Sequence, residues 1–128
     1  MNSFNFEPVK FENAAITLEN GESGATLVLS GDIDMRDTTL EFLPCLLKIH
    51  DTLVENRVKQ LKLDLVKLTF MNSNGIKSLI NWVMKLSELP EADRYTIHVI
   101  ASSSIAWQES TLPVLCKLFP DHIIIDQL

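Results

Sequence analysis

The hydrophobic period changes within one short span of the chain, and the change marks a strand passing into a helix. Leu61, Leu63 and Leu65 alternate with Lys62 and Asp64, so one face of this segment lies on a core. Beyond Gly75 the apolar positions are Ile76, Leu79, Ile80, Val83 and Leu86, the spacing of one helix face. Between them, Thr69-Phe70-Met71 is expected to carry the chain out of the sheet, and Asn72-Ser73-Asn74-Gly75 to form the turn. Asn-Gly is also a favoured hairpin dipeptide, but the helical period that follows argues for a strand-to-helix junction.

The same reading divides the rest of the chain. Ala14 to Leu18 and Ala25 to Ser30 read as strands of a hairpin, joined by the polar turn Glu19-Asn20-Gly21-Glu22-Ser23-Gly24. A first helix is expected from Thr39 to Glu55, with Phe42, Leu43, Leu46, Leu47, Leu53 and Val54 buried. Thr38 and Glu41 have capping-box spacing, while Pro44 is comfortable only in a first turn and pulls the start later. After the second helix, Leu89-Pro90-Glu91-Ala92-Asp93 is a break. Tyr95 to Ala101 follows as a strand with Ile97 and Val99 on one face. A helix between Ser104 and Leu118, interrupted or kinked near Pro113, and a short apolar strand from His122 to Asp126 complete the order. Single helices linking successive strands predict an α/β fold, a central sheet of mixed direction with helices mainly on one side. The first ten residues read as an extra edge strand or a loose arm, and residues 1–128, with no internal repeat or long linker, as a single domain.

A chain of 128 residues is large enough to bury a core without disulfides or metal. Its 46% hydrophobic and 22% charged residues are ordinary for a soluble globular protein. A net charge of −6, a pI near 4.9 and no basic run argue against general affinity for nucleic acid or an anionic membrane. Met1 to Glu7 lacks the positive start and apolar stretch of a targeting signal, and no apolar run approaches the roughly twenty residues that span a bilayer. A cytoplasmic location is expected. Cys45 and Cys116 have no metal-ligand spacing or redox motif, so reduced, packed thiols are expected. His50, His98 and His122 show no ligand spacing either, which points to packing or exposure and away from a metal.

Ser73 falls at the junction. Amides at a helix start have no intrahelical partner, so a Ser or Asn there caps them, and a phosphate added there meets free N–H donors and the positive end of the helix dipole. The residues alone leave both readings open, a plain cap and a phosphoserine site. Asp32 and Asp34, two apart at a strand end, read either as a cation-binding or acid–base pair or as solvated turn residues. Trp82, beside the helix stripe, is either a core anchor or part of an apolar partner surface.

Leu68-Thr69-Phe70-Met71-Asn72-Ser73-Asn74-Gly75-Ile76 resembles the signature of the STAS domain family, named for sulfate transporters and anti-sigma factor antagonists. There a strand ends in a phenylalanine-methionine-aspartate-serine-serine/threonine-glycine-leucine-like sequence. Upstream, Leu29-Ser30-Gly31-Asp32-Ile33-Asp34 is similar to the family's glycine-glutamate-leucine-aspartate segment at the end of an earlier strand. The similarity extends from about Ala14 to Asp126. It implies that Ser73 is the phosphoacceptor and that Asp34 matches an aspartate near that serine, part of the surface the kinase reads. Asp32 matches the family's glutamate more loosely. The chain departs from the pattern at Asn72, where an aspartate is common, and at Asn74, where Ser or Thr is usual; Asn72 cannot supply a carboxylate charge.

By this resemblance the expected function is that of an anti-sigma factor antagonist acting by partner switching. The unmodified domain binds a serine kinase and anti-sigma regulator of the histidine-kinase-like ATPase type and releases what that regulator held. The regulator then phosphorylates it with ATP and Mg²⁺, and a metal-dependent serine phosphatase resets it. Ser73 is the implied acceptor, with Asp34, Asn72, Asn74 and Gly75 in the partner-binding surface. ATP belongs to the partner, so the domain needs no cofactor or metal of its own and is not an enzyme. Two rivals stand beside this reading. One is a phosphorylation-independent STAS scaffold or ligand-binding subunit, favoured by the asparagines flanking Ser73. The other is a small Mg-dependent hydrolase built on Asp32 and Asp34, which lacks a positioned nucleophile, a phosphate-binding glycine loop and a metal cluster.

Overall fold

The alternating runs build one six-stranded sheet whose spatial order follows the order of the chain, in a computed structural model that describes residues 6–21 and 24–127, with the backbone alone at 126 and 127. Strands β1 (Val9–Lys10), β2 (Ala14–Gly21) and β3 (Gly24–Ile33) pair antiparallel; β3, β4 (Gln60–Met71), β5 (Thr96–Ala101) and β6 (Ile123–Gln127) pair parallel. A parallel neighbour requires a crossover. Helix α1 (Phe42–Glu55) links β3 to β4, α2 (Ser73–Ser87) links β4 to β5, and α3 (Ala106–Leu118) links β5 to β6. Right-handed crossovers stepping one way along a sheet put their helices on one face. Burial follows that rule: Leu27, Leu29, Leu61, Leu63, Ile97 and Val99 are buried, whereas the intervening Thr26, Val28, Lys62, His98 and Ile100 remain partly or fully exposed. The expected mixed sheet with helices on one side is the observed architecture.

Phe42, Leu46 and Leu53 of α1, Leu79, Trp82 and Leu86 of α2, and Leu112 and Leu115 of α3 close the core over the sheet. Each such side chain contributes about 1.5–3 kcal/mol when fully buried. Trp82 is 0% exposed, which removes it as a surface anchor for a partner.

Several boundaries differ from expectation, each for a local reason. Thr38 and Glu41 make no capping box; α1 begins at Phe42 with Glu41 as a cap that donates and accepts no side-chain bond, because Pro44 must fall in the first turn. Leu43, Leu47 and Val54 are only half-buried, and Cys45, Ile49 and His50 take the remaining core places. Thr69-Phe70-Met71 stays in the sheet, with Phe70 opposite Asp32 and Met71 opposite Ile33, so the chain leaves the sheet only at Asn72. Helix α3 continues across Pro113; that residue and Glu109, whose carbonyl loses its N–H partner, are both exposed to water. Val9–Lys10 form the edge strand, while residues 1–5, and Glu22 and Ser23 of the hairpin turn, lie outside the described residues.

Gly31 bends β3 toward the site. Its φ is +86°, and a Cβ there would lie 2.2 Å from the Asn13 carbonyl oxygen, which accepts the Asp32 N–H at 2.8 Å. Only glycine fits this conformation and this approach. The register of β3 against β4 shifts at the same point, between Gly31 and Asp32. Both cysteines are free, and burial pushes the Cys45 thiol up to about 11 despite the opposing charge of Lys48.

Candidate functional site

Strands β3 and β4 end side by side, and the site grows from their ends. The Asn72 N–H donates to the Ile33 carbonyl at 2.9 Å, so Asp34 and Ser73 each lie one residue beyond that bond. Asn72 is the N-cap of α2, with extended backbone, and its Oδ1 accepts the Gly75 N–H at 2.8 Å. The first helical bond runs from the Ile76 N–H to the Asn72 carbonyl at 3.1 Å, which leaves the amides of Ser73 and Asn74 ahead of the helical ladder. Ser73 is exposed, and its hydroxyl has no hydrogen-bond partner among the described residues. The capping duty falls to Asn72, and Ser73 is free of it. A phosphate on its oxygen would lie where open N–H groups and the helix dipole both favour negative charge.

The segment from Asp34 to Glu41 is tied to the start of α2 by side chains from both partners. Asn72 Nδ2 donates to the Met35 carbonyl and Asn74 Nδ2 to the Arg36 carbonyl, each at 2.8 Å. Thr38 Oγ1 donates to the Asn74 carbonyl at 2.9 Å, which leaves Ser78 Oγ as the donor in its 2.8 Å bond with Thr38. Thr38 and Ser78 are both buried. The two asparagines that depart from the family pattern therefore hold the loop in place. An aspartate has no N–H to offer Met35, and a serine at 74 is too short to make the same reach.

Asp32 and Asp34 turn to different neighbours. Asp32 accepts from Thr69 Oγ1 on β4, whereas Asp34 accepts from Asn13 Nδ2, just before β2, at 3.1 and 3.3 Å. They do not converge as an acid–base pair. Asp34 instead lines an open cleft of about 330 Å³ with Asn13, Met35, Arg36 and Glu41. Gly75 is buried beneath the junction, facing Met71 and Ile33, so its constraint is internal. Two exposed apolar side chains that the pattern did not single out stand nearby in sequence, Phe70 at the end of β4 and Leu40 ahead of α1, 45% and 75% exposed. Among the described residues no group of three or more His, Cys, Asp or Glu is arranged to hold a metal ion, and no helix is long and apolar enough to cross a membrane.

The bond from Asn72 to Met35 makes a direct prediction. Asn72→Asp keeps the cap and adds a favourable charge at the helix start, but it sets a carboxylate oxygen against the Met35 carbonyl. The net expected effect is a loss of about 1 kcal/mol in urea denaturation, with faster amide exchange over Met35 to Asp37. Unchanged exchange there would show that the link carries no weight.

No protein-family model and no curated protein matches the chain. Among solved structures it is similar to a crystal structure of an anti-sigma factor antagonist from Mycobacterium paratuberculosis, with a TM-score of 0.59 and 22% sequence identity. The match covers 84% of this chain and 83% of that one. The chain has the STAS fold that the two motifs led one to expect.

Proposed function

We propose that this protein is an anti-sigma factor antagonist-like signalling protein of the cytoplasm, switched between partners by phosphorylation of Ser73. The observation that carries the reading is the exposed, uncommitted Ser73 hydroxyl at the first position of α2, on a STAS fold, with the capping role already filled by Asn72. Asp34, Asn72, Asn74 and Gly75 contribute to recognition in two different ways. Asp34 offers an exposed carboxylate beside the junction, while Asn72, Asn74 and Gly75 set the shape of the loop and helix start against which a partner closes. The partner is a serine kinase and anti-sigma regulator of the histidine-kinase-like ATPase type, which brings its own ATP and Mg²⁺. A serine phosphatase removes the phosphate. The protein itself performs no catalysis and needs no cofactor.

The test is incubation with ATP, Mg²⁺ and a histidine-kinase-like ATPase from the same genome, followed by intact mass and peptide mapping. One phosphate is expected, on the peptide containing Met71 to Lys77. Ser73→Ala should abolish it while changing stability by no more than about 0.5 kcal/mol, because Ser73 is exposed and makes no cap bond. Phosphate on Ser102, Ser103 or Ser104, which also precede a helix, would move the site elsewhere. No phosphate at all would favour the phosphorylation-independent scaffold.

A further inference from the structure

Three buried side chains join α1, α2 and the residue that leads into β5, two to three helical turns along α2 from Ser73. Trp82 Nε1 donates to the Tyr95 hydroxyl oxygen at 2.8 Å, and His50 Nδ1 lies 2.7 Å from the same oxygen. Trp82 is 0% exposed, Tyr95 2% and His50 3%. The number of protons fixes their roles. An indole N–H can only donate, so the Tyr95 oxygen accepts there and its single proton is left for His50. His50 Nδ1 therefore presents a lone pair, and the neutral ring carries its proton on Nε2.

Protonating His50 breaks this order. Nδ1–H and the indole N–H would both point at the Tyr95 oxygen, and the hydroxyl proton would need a new acceptor in a region closed to water. Burial, the largest influence, holds His50 below the ordinary histidine range; the neighbouring Asp51 on α1 opposes that shift, and Lys85 on α2 adds to it. Burial also raises Tyr95 well above the ordinary phenol range, against the lowering effect of the Trp82 bond, so the hydroxyl does not ionise to relieve the conflict.

We propose that His50, Tyr95 and Trp82 form an acid-sensitive clasp that holds α1 and the entry to β5 to the second half of α2 and opens more readily as the pH falls below neutral. The first turns of α2 are held by a different set, Thr38, Ser78 and Asn74, none of which titrates. Acid should therefore loosen the end of α2 that carries Trp82 while the end that carries Ser73 stays tied. The inference rests on the buried cluster and does not depend on phosphorylation of Ser73.

The sign follows from linkage. A histidine whose folded pKa is depressed contributes stability that is present above its unfolded value of about 6.5 and is lost as the pH falls toward the folded value. Between pH 7.5 and 5.5 the unfolded chain takes up a proton more readily than the folded chain, which raises the unfolding constant by at most about tenfold from this group alone. Urea denaturation of the wild-type protein and of His50→Asn, which offers an acceptor oxygen near the Nδ1 position but cannot titrate, reads this directly. The wild-type-to-variant ratio of unfolding constants should rise between pH 7.5 and 5.5, by up to about tenfold, and parallel pH profiles would overturn the proposal. Should His50→Asn fail to fold, two measurements on the wild-type protein decide. Two-bond ¹H–¹⁵N spectra at pH 7.5 should show Nδ1 unprotonated. Amide exchange at pH 5.5, corrected for its intrinsic pH dependence, should accelerate over Trp82 to Ser87 relative to Ser73 to Leu79. A protonated Nδ1, or a uniform change along α2, would overturn it.

Discussion

Gly75→Val is expected to lower stability by about 3 kcal/mol, whereas Asn74→Ser, one residue away, should cost less than about 1 kcal/mol. Gly75 is the third residue of α2, and it has no positive φ to excuse it. Its constraint is space. A Cβ there would lie 2.7 Å from Met71 Cγ and 2.9 Å from Ile33 Cγ2, distances that real contacts do not show. Met71 is 3% exposed and Ile33 0%, so neither has solvent to retreat into. A single methyl would be offset in part by the helix propensity gained on leaving glycine, about 1 kcal/mol, but valine adds two further methyls and a β-branch in the first turn. Ile33 and Met71 also end the strands from which Asp34 and Ser73 project, so the strain is delivered to the site itself. Asn74→Ser removes one exposed bond, to the Arg36 carbonyl, and leaves the Thr38 bond to the Asn74 backbone in place. Urea denaturation with an unchanged m value would measure both. Equal midpoints for the two variants would take away the special role of Gly75.

The sheet was legible in the sequence because its signal is local. Alternation at Leu61, Leu63 and Leu65, and the change of period after Gly75, report which face is buried whatever lies across from it. Boundaries were less so, because they depend on residues far along the chain. Thr69, Phe70 and Met71 look like an exit from the sheet until Asp32 and Ile33 are seen to pair with Phe70 and Met71. Thr38 looks like a helix cap by spacing, yet its hydroxyl is engaged by Asn74 and Ser78, 36 and 40 residues away. The same distance hid the meaning of the asparagines. In sequence Asn72 and Asn74 are gaps in a family pattern; in the fold each is the donor that fixes the loop from Asp34 to Glu41. Trp82 was ambiguous because a helix stripe does not reveal how wide its buried face is, and here that face includes the indole.

Phosphorylation of Ser73 is expected to weaken binding to the kinase regulator on the order of a hundredfold, a loss of about 3 kcal/mol, while leaving the fold of the free protein almost unchanged. The asymmetry comes from the helix start. A phosphoserine adds a charge of roughly −1.5 to −2, and within the free protein the open amides at Ser73 and Asn74 and the helix dipole receive part of it. In a complex the same group must be desolvated against a surface fitted to a neutral hydroxyl. Asp34 and Asp37, both exposed on the adjoining loop, add like-charge repulsion that the exposed Arg36 between them offsets only in part. Ser73→Asp should reproduce part of the loss, since it carries a smaller charge and fewer acceptor oxygens.

Calorimetric titration of the unmodified, phosphorylated and Ser73→Asp proteins against the histidine-kinase-like ATPase tests the switch itself. The expected order of affinity is unmodified, then Ser73→Asp, then phosphorylated, with about a hundredfold between the first and the last. Indistinguishable affinities for the three would contradict partner switching and leave a STAS fold that serves as a scaffold.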